Sequence, residues 1–158
     1  MPTPFDPALV LSRPLVASLA TVTASGHPRT TPVWFTWEND ALWMLSDVSA
    51  SSAQRIAANP AVAVDIVDHD NAAGILRHLG LRGRASLEPM DKPLFRRLLT
   101  RYLGPDEAQN QWFIQNVARI DDPGGRLIRL VPDSTFTNDV SFFRTGPALA
   151  GRPGETAD

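Results

Sequence analysis

The chain has 158 residues, 43% of them apolar, with a net charge of −2 and no cysteine. One domain of this length removes roughly 70% of its unfolded surface from water on folding, enough for a sizeable core. The lack of cysteine excludes disulfides, thiolate metal sites and a cysteine nucleophile. The slight acidity argues against a nucleic-acid partner, because phosphate backbones call for a basic excess. The basic residues are 14 Arg and one Lys, Lys92; this bias suits bidentate phosphate contacts but equally follows from a genome rich in G and C. Met1-Pro2-Thr3-Pro4 lacks the basic start of a signal peptide, and no apolar run approaches a membrane span. A cytoplasmic protein without membrane partners is the expectation.

In chain order, residues 1–14 carry four prolines and read as an extended arm with at most one helical turn. Leu15–Thr23 is predicted as a strand apolar on both faces, and Ser25-Gly26 as a turn. Pro28–Trp37 follows as one strand, with Val33, Phe35 and Trp37 on one face and Thr30, Pro32, Trp34 and Thr36 on the other. Pro32 removes a ladder donor and implies an edge, a bulge or a special approach. Asn39-Asp40 marks a hairpin into a third strand, Ala41–Asp47. Ser49-Ala50-Ser51-Ser52 leads into a two-turn helix with a serine N-cap, ended by Asn59-Pro60.

Ala61–Asp68 is predicted as a strand and His69–Gly74 as a loop. Ile75–Leu87 alternates Leu79, Leu81, Ala85 and Leu87 against His78, Arg82, Arg84 and Ser86. Gly80 and Gly83 leave room there for a backbone or a ligand. Asp91 caps an amphipathic helix whose stripe is Leu94, Phe95, Leu98, Leu99 and Tyr102, stopped by Gly104-Pro105. A second helix spans about Asp106–Ala118, and Arg126–Val131 is the last strand. From about Gly146 the chain reads as a flexible tail, or a strap across a partner. Six short strands with hairpin turns and inserted helices suggest a closed β-barrel with helical additions.

Five segments then occur in a telling order: Leu19–Val22, Gly26–Phe35, Ala41–Met44, Arg55–Val64 with its Asn59-Pro60, and Leu81–Leu87 with Arg82-Gly83-Arg84-Ala85. Together, over roughly Leu15 to Val131, they resemble the pyridoxamine phosphate oxidase-like family of FMN-binding split β-barrels. The resemblance implies a mainly β fold with helical additions, a six-stranded antiparallel split barrel of Greek-key type. Its domain would span 15–145, between the arm 1–14 and the tail 146–158. It also implies a homodimer with two cofactor sites at its interface. FMN is the expected cofactor, with a deazaflavin coenzyme or haem as alternatives, since fold alone does not fix the reaction. An FMN-dependent oxidoreductase acting on a small molecule is the leading reading. A deazaflavin-dependent reductase, or a non-catalytic barrel with a weakened cofactor site, is the alternative.

Residue by residue, the resemblance puts Arg29 at the basic phosphate position of the second strand. It puts Thr30, Thr31, Pro32 and Val33 along the flavin edge, where backbone donors and acceptors are needed, with Trp34 as a possible ring wall. Ser46 takes the hydroxyl position after the third strand. The family's lysine, eight positions before the Asn-Pro proline, falls on Ser52, and the basic residue near it falls on Ala50 or Ser51. Ser51, Ser52 and the helix N-terminus would then help Arg29. His78 falls where relatives often place a glutamine against the flavin, and Arg82 and Arg84 lie on its face as a possible anion site. Arg29 also reads as a solvated strand end; Arg82 and Arg84 as a solvated basic face or as dimer salt bridges; His78 as a packed interface histidine. Thr135–Arg144 lacks the C-terminal Trp and Arg-x-His substrate motif of true pyridoxamine phosphate oxidases. Asp65, Asp68 and Asp70 read as solvated residues at a strand end rather than as a metal site. No metal is expected, and no residue stands out as a catalytic acid or base.

Overall fold

The computed structural model describes residues 2–105 and 110–142. A single helical turn, α1 (Ala8–Leu11), follows the proline-rich arm and buries Val10 and Leu11. Strand β1 (Ala17–Val22) turns Ala17, Leu19 and Thr21 into the core, while Ser18 stays exposed and Ala20 only partly covered. The strand is thus covered on one face, not on both as its apolar run suggests. β2 (Pro28–Val33) and β3 (Phe35–Glu38) are separated by Trp34 alone. The single predicted strand is therefore two.

At Asn39 and Asp40 φ is 52° and 57°, the left-handed pair that a two-residue type I′ hairpin requires and that Asn and Asp tolerate best. The hairpin leads into β4 (Ala41–Asp47). Helix α2 (Ser51–Ala58) starts at Ala50, with no side-chain cap in place of the expected serine. β5 (Ala61–Asp70) and β6 (Ile75–Pro89) form a long hairpin. Asp91 caps α3 (Lys92–Leu103), its carboxylate accepting from the Leu94 N–H at 2.9 Å. α4 (Gln111–Val117) is capped by Asn110; the predicted start of this helix at Asp106 lies outside the described residues. β7 (Gly125–Asp139) extends eight residues past the predicted end at Val131. The predicted tail also lies outside the described residues.

The seven strands form one antiparallel sheet in the order β2-β1-β5-β6-β7-β4-β3. This corrects the expected six-stranded closed barrel: among the described residues there are seven strands, and no β2–β3 ladder closes them. Pro32 sits on an edge strand, where its missing N–H costs no ladder bond. The two edges of the sheet are consecutive in sequence, joined through Trp34, so the sheet curls until its ends meet at that corner. Leu19, Phe35, Leu42, Met44, Ile66 and Leu79 fill the curl. Each such side chain stabilises the fold by roughly 1.5–3 kcal/mol. A second cluster, Phe95, Leu99, Phe113 and Ile120, lies under α3 and α4, with Trp34 and Leu45 packed on it.

Tyr102 pins the corner. Its hydroxyl donates to the Leu15 carbonyl at 2.6 Å and accepts from the Phe35 N–H at 3.1 Å, while its ring stacks on Trp34 at 4.6 Å. Burial of the phenol pushes its pKa up. Arg101 beside it donates to the Leu11 carbonyl at 2.6 Å and lies over the Phe35 ring at 5.2 Å, tying the arm to α3. β7 carries a bulge: Arg82 faces Ser134 and Gly83 faces Pro132, leaving Asp133 unmatched. A Cβ on Gly83 would stand 3.0 Å from the Val131 carbonyl. Gly83 is therefore explained by backbone approach and not by a ligand.

Asp68 is buried between Arg13 and Arg77, and Arg77 also reaches Asp139 at 3.3 Å. It is neither solvated nor part of a turn. Removing the acid leaves two guanidiniums without their common partner. Asp68→Ala should lower stability by about 2–3 kcal/mol in urea unfolding, less than the full cost of breaking a buried pair because Arg13 reaches water.

Candidate functional site

Alternation along the strands leaves a second face outside the curl. Cross-strand register aligns Thr30, Ala20, Ala63, Arg82 and Ser134 in one row. The next row is Pro32, Ser18, Asp65, Gly80 and Phe136. Small side chains in the middle of both rows leave an open-sided cavity of about 360 Å³, lined by Ser18, Ala20, Thr30, Ala63, Asp65, His78, Gly80, Arg82 and Phe136. A Cβ on Gly80 would sit 3.7 Å from Phe136, an ordinary contact, so this glycine widens the cavity without being required by backbone approach.

His78 is the organised group of this cavity. Its Nε2 hydrogen-bonds the Asp65 carboxylate, its diagonal neighbour across the β5–β6 ladder, and its ring meets Phe136 edge-on at 5.3 Å. The bond at Nε2 leaves Nδ1 for another partner. Sequence reasoning placed Asp65 among solvated strand-end residues, and it is exposed, but missed its bond to His78. Its signal was there: inverting the two strands of a hairpin puts 65 diagonal to 78, but that requires the register in advance.

The predicted residues separate into three places. Thr30, His78 and Arg82 come together around the outer cavity. Arg84 projects from the same strand beyond it, exposed. Thr31 and Val33 alternate with Thr30 and Pro32 on β2 and are partly buried, Val33 against the main core. Trp34 gives one ring face to Tyr102. Arg29 lies opposite Thr21 at the start of β2, exposed, its guanidinium donating to the adjacent Pro28 carbonyl at 2.9 Å. Ser51 and Ser52 open α2, whose first turn holds no acidic residue.

Ser46 belongs to a third place, a cavity of about 290 Å³ between β4, α3, α4 and the start of β7, shared with Leu45, Asp47, Ala50, Phe95 and Arg119. Its hydroxyl oxygen is buried and has no hydrogen-bond partner among the described residues. The neighbouring Asp47 carboxylate accepts from the Ser49 hydroxyl at 2.6 Å and the Ser49 N–H at 2.8 Å, which holds its pKa below the usual carboxylate value. Among the described residues no three His, Asp or Glu side chains converge as metal ligands, and no helix is long and apolar enough to cross a membrane.

A curled antiparallel sheet with a small-residue outer face and helices over one edge defines the class of protein. The chain belongs to the pyridoxamine 5'-phosphate oxidase family, whose profile matches residues 8–136. No curated protein matches it. Among solved structures, an F420 reductase is 27% identical, with a TM-score of 0.65 over 85% of this chain and 98% of that one. A conserved hypothetical protein from Mycobacterium tuberculosis is 18% identical, with a TM-score of 0.71 over 87% of this chain and 86% of that one. The haem storage protein from Vibrio cholerae is 18% identical, with a TM-score of 0.66 over 88% of this chain and 97% of that one. The last two likenesses are of fold alone.

A buried hydroxyl without a partner contributes nothing to folding that a methyl would not. Ser46→Ala should leave the thermal midpoint unchanged or slightly raised. A clear loss of stability in a calorimetric scan would show that the hydroxyl is satisfied within the fold.

Proposed function

We propose that the chain is an FMN-dependent oxidoreductase whose two cofactor sites are assembled between two copies of itself. The observation that carries this reading is the scatter of the family's cofactor positions over one protomer. Thr30, His78 and Arg82 surround the outer cavity, Ser46 opens into the cavity under the helices, and Arg29, Ser51 and Ser52 stand at the α2 end. A second copy docked on the outer face would bring its own set to complete each site. That face also carries Val67, Val131 and Phe136, each about two-fifths exposed, which a partner would cover. The tryptophans do not argue for a dimer: Trp34, Trp37 and Trp43 all find partners within the chain.

The residues suit a flavin nucleotide in kind. Among the described residues, edge strand β2 has a ladder partner on one side only, the buried Ser46 hydroxyl has no partner and could bond a ligand, and Arg29 has no acidic partner. Bound flavin would supply the hydride chemistry. The protein's part is orientation: the Asp65-held His78 presents one ring nitrogen, Arg82 a positive charge, and Thr30 a hydroxyl. A cavity of a few hundred Å³ admits a small molecule and no polymer.

A deazaflavin coenzyme is the second reading, favoured by the likeness to the F420 reductase over nearly that whole chain. Absorbance of the purified protein, or of the protein after titration with each cofactor, separates FMN, deazaflavin and haem. Uptake of none of them would leave a non-catalytic barrel. Light scattering should report twice the 17.2 kDa chain mass at micromolar concentration; a monomer would remove the basis of the shared site. Pyridoxamine phosphate and pyridoxine phosphate should not be turned over efficiently, because Thr135–Asp139 is paired with β6 as part of β7 and carries no Trp or Arg-x-His motif. Rapid oxidation of either by the FMN-loaded protein would contradict this.

A further inference from the structure

The position that the family fills with lysine is Ser52 here, and a serine can bond a phosphate without neutralising it. A different cation stands close by. Arg55 follows Ser51 and Ser52 on α2 by four and three residues, so the three side chains share one helix face. Its Nε donates to the Thr21 hydroxyl at 2.7 Å, and Thr21 is buried at 1% exposure. Thr21 is the cross-strand partner of Arg29, so the Arg29 side chain leaves β2 on the same face of the sheet, about 5 Å away at Cβ. Arg55 thus bonds Thr21 directly, and Arg29 leaves the strand opposite that threonine, at the α2 end of the curl.

Neither arginine has a carboxylate partner among the described residues, in a chain with more acidic than basic residues. Two neighbouring cations without a counter-charge repel one another, and a shared anion relieves that repulsion. The Nε bond to Thr21 fixes the Arg55 plane and leaves its terminal N–H groups to fork onto an oxyanion.

We infer that Arg55, together with Arg29, supplies the cationic grip on a phosphate ester that Ser52 does not supply. The ligand class is the phosphate terminus of a flavin nucleotide, so the inference rests on the cofactor reading above.

The test compares FMN with riboflavin, which lacks the phosphate, by fluorescence titration, and adds inorganic phosphate by calorimetry. Arg55→Gln should weaken FMN by about 10- to 150-fold, the loss of one charge-assisted contact, weaken inorganic phosphate alongside it, and leave riboflavin unchanged. Arg55→Lys should keep most of the affinity. Adding Ser52→Lys to Arg55→Gln should restore FMN binding by returning the charge to the family's position, a rescue that a purely structural arginine would not allow. FMN affinity untouched by Arg55→Gln would overturn the inference and leave the cofactor reading standing. Equal loss of FMN and riboflavin would assign Arg55 to the fold and overturn it as well. Arg55-dependent binding of phosphate without either flavin would uphold the inference and remove the cofactor reading. Wild-type protein that binds neither flavin nor phosphate would end both.

Discussion

The single residue between β2 and β3 controls the architecture. Trp34 joins the two outermost strands of a seven-stranded ribbon, so the ribbon has to bend round until its edges meet there. The bend interrupts backbone pairing, and Tyr102 supplies what it removes, accepting from Phe35 and donating to Leu15 while its ring covers Trp34. Inside the bend lies an apolar core. Outside it lies a face that one chain leaves open. Position α3 differently and neither the corner nor the distinction between the two faces would hold.

That distinction sorts the charged residues of β5 and β6. Asp65 and Asp68 are three residues apart and so point to opposite faces of one strand. Asp68 turns inward and is buried with Arg13 and Arg77; Asp65 turns outward and orients His78. One carboxylate is thus committed to holding the arm on the sheet and the other to the outer cavity. The same alternation places Leu79 and Leu81 in the core while Gly80 and Arg82 line the cavity.

The cofactor positions follow this geometry. The candidate residues do not converge in one pocket. Here they are spread over an outer face, a cavity under the helices and the start of α2. Charge is displaced as well: serines occupy the helix start, while the guanidinium one turn along reaches back to β1. An anion site can keep its net charge with the cation on a different turn, provided that the side chain is long enough to span the gap.

Much of this was legible in local pattern. The period-2 alternation of Ile75–Leu87, the Asn39-Asp40 hairpin and the Asp91 cap are each set by a few adjacent residues, so the sequence by itself determined them and the family. The order of five segments identified the family. Only the tertiary structure decided that the strand breaks at Trp34, that β7 runs to Asp139, that the sheet stays open, that Asp65 holds His78 and that Arg55 meets Thr21. Each of these joins residues far apart in the chain, through register or helix docking. A hydrogen bond between positions 21 and 55 leaves no trace in the neighbours of either, because the energy that selects it comes from the packing of whole strands and helices.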